Sequence, residues 1–433
     1  MQHLIDGPRL PAALQLVGFF GRPTGLMTRC QQRYGDVFRL QMPGTEPMVF
    51  LADPALVKAA WSRDRDNGLP EGRRITLEPL LGPRSILLQE GEEHLRRRRW
   101  MLPPFHGDRM RAYGDLIDDI TRRDLQSWPR GVAFPLMPRM QAITRDVILR
   151  AVFGTHEGPG EQALRVAIDD VLTRTTRTRT QLTVLAAEAR GSKRSPFHRA
   201  VRRMDDILYA EIDERRRATD LDERDDILSM LLGARDEHGA PMDDGELRDQ
   251  LVTLLLAGHE TTATSLAWAF DALFRNPGVR ARLEDSLAGG DEYLDAVIDE
   301  TLRIRPTVHD VGRVLGHPLE IGDGRVLPAG TAVFAAVYLL HRDPDLFPDP
   351  HAFRPERYLG GEKPPGFAWI PFGGGVRRCL GAAFAQFEMR RVLRVLLTSA
   401  DLLPGSDRAE RMIRRPVTVV PQHGTPAVLH ALR

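Results

Sequence analysis

Residues 372 to 381 read "FGGGVRRCLG". Three consecutive glycines precede one of only two cysteines in 433 residues, and an apolar run with helical spacing, "LGAAFAQFEMRRVLRVLL" (380–397), begins directly after it. Cys30 and Cys379 are too few and too far apart for a disulfide framework, and a chain of this length does not need one. Cys30 has no unusual context and reads as an ordinary core or surface thiol. Cys379 has a context that packing alone does not explain.

Outward from that stretch, composition sets bounds. The chain is 42% hydrophobic and 27% charged with a net charge of +1, an ordinary globular balance that excludes a nucleic-acid footprint. Of 60 Lys+Arg residues only Lys58, Lys193 and Lys363 are lysine, and with 38 Gly and 32 Pro this points to GC-rich bacterial coding. The first apolar stretch, "LPAALQLVGFF" (10–20), is interrupted by Pro11, Gln15 and Gly18 and is shorter than the ~20 residues that span a bilayer. No membrane anchor and no secretory signal are expected, and the cytoplasm is the default location. No linker, heptad run or fixed-period repeat divides the chain, so residues 1–433 are read as one domain.

Strand-like pieces, "GDVFRLQM" (35–42) and "PMVFLA" (47–52), lie in the first part, and helical patterns dominate from about residue 105. Short Val- and Leu-rich runs punctuated by Gly and Pro return at 311–337. The fold class is therefore mainly α with small β-sheets. The longest helix is expected from about Asp244 to Asn276, opened by "MDDGE" and closed by Pro277-Gly278. Its centre carries Gly258, His259, Glu260, Thr261 and Thr262 within an apolar run, where a glycine costs ~1 kcal/mol relative to alanine. Two readings stay open: a helix with one wet face, or a distorted turn that opens a groove beside an acid and a hydroxyl. In "DEYLDAVIDETLRIRP" (291–306), Glu300 and Arg303 sit at i and i+3 and can meet on one helix face.

Taken together, these stretches resemble the cytochrome P450 family. "FGGGVRRCLG" fits its haem-binding signature at every fixed position, "AGHETT" (257–262) resembles its oxygen-activating helix, "ETLR" (300–303) its E-x-x-R pair, and "FRPERY" (353–358) its P-E-R-F segment. Tyr358 stands where the family usually has Phe. The four motifs run in the family's order from the middle of the chain to Cys379, and the first third contributes mainly "HLRRRRW" (94–100). The resemblance implies the P450 fold, with haem b (iron protoporphyrin IX) between the long central helix and the helix after the cysteine loop.

By the same resemblance Cys379 is the iron ligand. A helix N-terminus favours its thiolate, and Phe372, Gly373, Gly375 and Gly381 belong to the loop that approaches the porphyrin. Thiolate ligation favours O–O bond cleavage, unlike the histidine of oxygen carriers. Haem propionates call for cations, and the resemblance assigns Arg377, Arg313, His94 and Arg98. In the arginine run 96–99, the i, i+4 spacing from His94 selects Arg98 and leaves the others as a solvated face. Glu300, Arg303 and Arg357 are expected to form a buried charge network, and Glu260 and Thr261 to relay protons.

The implied function is a monooxygenase that inserts one oxygen atom from O2 into a lipophilic small molecule by hydroxylation or epoxidation. No fused flavin or iron–sulfur module is visible, so electrons are expected from a separate ferredoxin or flavodoxin with its reductase, docking near the cysteine on a monomer. A peroxide-driven peroxygenase and a non-catalytic haem-thiolate sensor are the alternatives, and the Glu260–Thr261 pair weighs against both. Leu255, Ala257 and Ala263 are expected to line the pocket, with a lid from about 160 to 220 that is rich in Arg and Thr.

Overall fold

In the computed structural model, the described residues are 5–70, 77–105, 109–154, 159–175, 195–236, 238–360, 364–415 and 417–433. The Arg- and Thr-rich stretch 176–194, the centre of the expected lid, lies outside them. The chain divides into two compact units. One comprises residues 1–72, 117–143 and 261–433, the other residues 73–116 and 144–260.

The first unit is organised by a four-stranded sheet. Val37–Leu40 and Met48–Leu51 form an antiparallel hairpin, Met48–Leu51 runs parallel to Ala332–Ala335, and that strand pairs antiparallel with Val311–Val314. Alternation along the strands separates two cores. Val49, Leu51, Val333 and Ala335 pack with Val57, Trp61 and Ile370 on one face, while Phe38, Leu40 and Phe50 pack with Phe19, Met27 and Cys30 on the other. Phe38, Phe50 and Phe334 stack across adjacent strands at centroid spacings of 5.4 Å and 5.4 Å. The next position in that row is Gly312, where a Cβ would come within 2.6 Å of the Phe334 ring. The glycine is thus the space that the last ring occupies.

Two helices of this unit carry site residues. Glu292–Ile304 buries every residue from Ala296 to Ile304 except Asp299, and it ends before Pro306, which disfavours helix at the residue preceding it. Ala382–Ser399 buries Phe384, Glu388, Val392 and Leu396 at successive i, i+4 positions. A three-stranded antiparallel sheet in the order Ala133–Pro135, Pro426–Leu432, Ala400–Pro404 follows it.

The second unit is mainly helical, with Gly91–Met101, Pro159–Thr175, Pro196–Arg217 and Ile227–Gly233 among its elements. The helix Asp244–Arg275 is shared, the unit boundary falling between Glu260 and Thr261. Its start is capped by Asp243, which accepts a bond from the Glu246 amide at 3.0 Å.

Candidate functional site

The cysteine loop is held by backbone turns. Gly373 and Gly375 both adopt φ +67, a region costly for any other residue, and the Cys379 amide donates to the Phe372 carbonyl at 3.0 Å. The middle glycines are also steric requirements. A Cβ on Gly374 would lie 2.8 Å from Phe367 and 3.2 Å from Trp61, and one on Gly375 would lie 2.3 Å from Asp64 Oδ2. Gly381 differs: its φ of −86 suits any residue and no protein atom lies within 4 Å of a Cβ built there, so its reason is not found in the protein's own packing.

Asp64 and Trp61 are the floor of this ridge. Arg313 Nε donates to Asp64 Oδ1 at 2.6 Å, its other nitrogens reach the Gly312 and Gly374 carbonyls at 3.0 and 3.5 Å, and its guanidinium covers the Trp61 ring at 4.8 Å. Arg313, expected as a propionate partner, is therefore engaged with a carboxylate and with the cysteine loop itself.

Only one of the two cysteines has a sulfur that a metal could reach. Cys30 is 2% exposed in an apolar cluster, and burial, opposed by Arg29, pushes its thiol up to about 11. Cys379 is exposed, beside Gly381 and the first turn of Ala382–Ser399, where helix N–H groups have no intrahelical acceptor. An accessible sulfur beside a helix N-terminus, on a loop whose glycines fit closely against Asp64, Trp61 and Phe367, fits a thiolate-ligated haem. Phe372 and Arg377 are both half-buried in the same loop.

Behind the loop, Glu300, Arg303 and Arg357 come together. Arg303 and Glu300 are fully buried and joined by two bonds of 2.7 and 2.8 Å. The remaining Arg303 donors go to the carbonyls of His341, Pro350 and Ala352 at 2.7, 2.8 and 3.1 Å. Glu300 also accepts from the Arg354 amide at 2.8 Å and from Arg357 Nε at 3.1 Å. All five guanidinium N–H groups of Arg303 are used, so neither buried charge is left unpaired.

His341, which the sequence reading missed, ties this network to the loop. The Ile370 amide donates to its Nε2 at 2.9 Å, so Nδ1 carries the proton and donates to the Arg303 carbonyl at 3.2 Å. Burial, with Arg342 adding to it, lowers its pKa to about 3 and keeps it neutral.

Glu388 was also missed. It is 1% exposed, and burial holds its carboxyl well above the usual range, partly offset by a hydrogen bond with Thr262. It stands on the helix after the cysteine, and its place in the i, i+4 stripe with Phe384 and Val392 was the signal that could have found it.

In the second unit His94 and Arg98 lie on one face of Gly91–Met101, His94 buried and Arg98 half-buried. The expectation of a solvated face for the other arginines fails at Arg97. It is 3% exposed and paired with Glu93 at 2.6 Å and Glu246 at 2.8 Å. An acidic partner 149 positions away cannot be read from local spacing.

Asp244–Arg275 runs as unbroken α-helix through 258–262, so the distorted turn is not formed. Gly258 has a packing reason instead: a Cβ there would stand 3.1 Å from Ile148, on the helix Met137–Phe153. The Thr144 hydroxyl donates to the His259 carbonyl at 2.9 Å in the same turn. Ala257 is exposed and Gly258, Glu260 and Thr261 are half-buried, a polar-edged strip on an otherwise buried helix. Leu255 and Ala263, expected beside Ala257 as pocket lining, are 1% and 0% exposed and belong to the packed side.

These features are those of the mainly helical haem proteins whose iron is bound by a cysteine thiolate. The family model for cytochrome P450 matches residues 6–427, and the chain belongs to that family. Its members are monooxygenases that carry haem b, and the chain is an oxidoreductase of this kind. It is 42% identical to cytochrome P450 135B1 of Mycobacterium tuberculosis, over 99% of this chain and 92% of the relative. It is 37% identical to cytochrome P450 137 of the same species, over 96% of this chain and 87% of the relative. Among solved structures, retinoic acid-bound cyanobacterial CYP120A1 superposes with a TM-score of 0.81 at 26% identity, over 96% of each chain. P450s in general use redox partners and lipophilic substrates, and among the described residues no helix is long and apolar enough to cross a membrane.

Proposed function

We propose that residues 1–433 act as a single haem domain in which Cys379 ligates the iron, and that the enzyme inserts one atom of O2 into a lipophilic small molecule. The observation that carries this is the exposed Cys379 sulfur at a helix start, on a loop whose glycines fit Asp64, Trp61 and Phe367. The match of one family model across both compact units supports the single domain. Bound haem would supply oxygen activation, with thiolate ligation favouring O–O cleavage. In this reading Arg377, His94 and Arg98 would neutralise the propionates, and Arg313 would do so only with the one Nη1 donor not used by Asp64, Gly312 and Gly374. Thr261 would orient a proton donor for oxygen activation, and Glu260, one residue earlier and half-buried, would renew the proton supply.

Electrons come from a separate ferredoxin or flavodoxin and its reductase, in the cytoplasm where such carriers are reduced, and the enzyme works as a monomer. The retinoic acid bound by CYP120A1 makes amphipathic polyene acids a first group to test, beside fatty acids, terpenes, steroids and aromatic polyketides. Reduced protein under carbon monoxide should give the red-shifted Soret band of thiolate ligation. Cys379→Ser should abolish that band and Cys30→Ser should keep it, and the opposite result would overturn the assignment. A Soret titration with the compound panel, followed by product assay with a reductase system, tests substrate class.

A further inference from the structure

Leu10, Leu14, Val17 and Phe20 are 54%, 55%, 68% and 42% exposed. They recur at helical spacing on and just before Ala12–Gly21, and with exposed Ala13 they make one continuous face opposite the buried Gln15 and Phe19. The other large exposed apolar side chains among the described residues, such as Val132, Val166, Val326 and Leu403, are scattered along the chain. Scattered ones are normal on soluble proteins, whereas a contiguous strip marks a contact surface.

Between the exposed Asp6 and Asp36, the stretch that carries the strip is one-sided in charge. Residues 7–35 contain Arg9, Arg22, Arg29 and Arg33 and no Asp or Glu, in a chain whose 60 cations and 59 acids otherwise balance. All four arginines are exposed. Arg9 and Arg22 flank the helix, and Arg29 and Arg33 lie on the next one, Pro23–Tyr34.

We propose that this face is an interfacial surface that lies on an anionic phospholipid bilayer, with Leu14, Val17 and Phe20 in the acyl boundary and the arginines on lipid phosphates. The strip offers no hydrogen-bonding side chain, so its partner must supply apolar depth and negative charge side by side, which is what an anionic bilayer presents. A second copy of the chain would bring two sets of four arginines together. An acidic electron carrier would supply carboxylates but no apolar depth.

The test uses the whole 433-residue chain, haem-loaded, and two vesicle preparations, pure phosphatidylcholine and an equal mixture with phosphatidylglycerol. Co-sedimentation should be at least about tenfold stronger with the anionic vesicles and should weaken in high salt, since each arginine at the surface contributes about fivefold. Leu14→Asp with Val17→Asp should reduce it by about a hundredfold, and Arg22→Glu with Arg29→Glu should remove the preference for anionic lipid. These positions are exposed, so the thermal midpoint by circular dichroism should not move. Absence of binding to anionic vesicles, or binding indifferent to both double variants, overturns the proposal. So does a concentration-dependent dimer that Leu14→Asp dissolves, which would make a second copy the occupant.

Discussion

Arg313 and Asp64 form an ion pair in which each side chain is 1% exposed, and the same guanidinium reaches the Gly374 carbonyl of the cysteine loop. Removing one member leaves the other charge buried, at a cost of about 3 to 5 kcal/mol. Asp64→Asn should lower the denaturation midpoint accordingly and reduce haem retention. An Asp64→Asn protein as stable as the parent would show that solvent reaches the Arg313 charge.

Acid should destabilise the fold earlier than carboxylate titration alone. His341 is neutral with a folded pKa of about 3, and His309 is lowered well below its ordinary value of 6.5 by burial and by Arg414 and Arg342. Below the ordinary pKa the unfolded chain takes up protons that the folded chain refuses. Stability is therefore full above pH ~6.5 and falls as pH drops toward ~3, by up to about 1.4 kcal/mol per pH unit for each group. Denaturant melts between pH 7.5 and 5 should show this slope, and His341→Gln should lessen it.

Glu388 titrates in the opposite sense. Its folded pKa is raised, so its contribution is present below the unfolded value and is lost as pH rises through the folded one. Glu388→Gln, which keeps shape and an acceptor for the Thr262 hydroxyl without the ionisable group, should be at least as stable as the parent at pH 8. A strongly destabilised Gln variant would mean that the carboxyl is ionised in place.

Thr261→Ala should keep substrate binding and electron uptake but divert much of the consumed oxygen to hydrogen peroxide, because protons then arrive without order. Glu260→Gln should slow turnover with a larger solvent isotope effect. Product, peroxide and reductant measured in one assay decide this, and a Thr261→Ala enzyme as coupled as the parent would assign both residues to helix packing.

Motif spacing made the cysteine loop, the long helix and the Glu300–Arg303 pair legible in the sequence, because each is a local pattern with one physical solution. Asp64 was not legible. It sits in "SRDRDNG" (62–68), which reads as a solvated turn, and its burial depends on Arg313, 249 residues away. His341 was hidden for the same reason, since its two partners are 38 and 29 residues distant. Gly258 left two readings open, because one helix alone does not separate distortion from packing, and the side chain that a Cβ there would press, Ile148, belongs to another helix.

The acceptors around Arg303 have a consequence for biosynthesis. Glu300 pairs with it within one turn, but its remaining carbonyls, at His341, Pro350 and Ala352, are made 38, 47 and 49 residues later. At ordinary elongation rates that is roughly 2 to 10 s during which a helix that is buried on most sides in the folded protein, with the Glu300–Arg303 pair on it, is outside the ribosome without its covering segment. The nascent chain passes through an interval when Glu292–Ile304 is open to holdase chaperones, and slow codons placed between Arg303 and Ala352 would lengthen it.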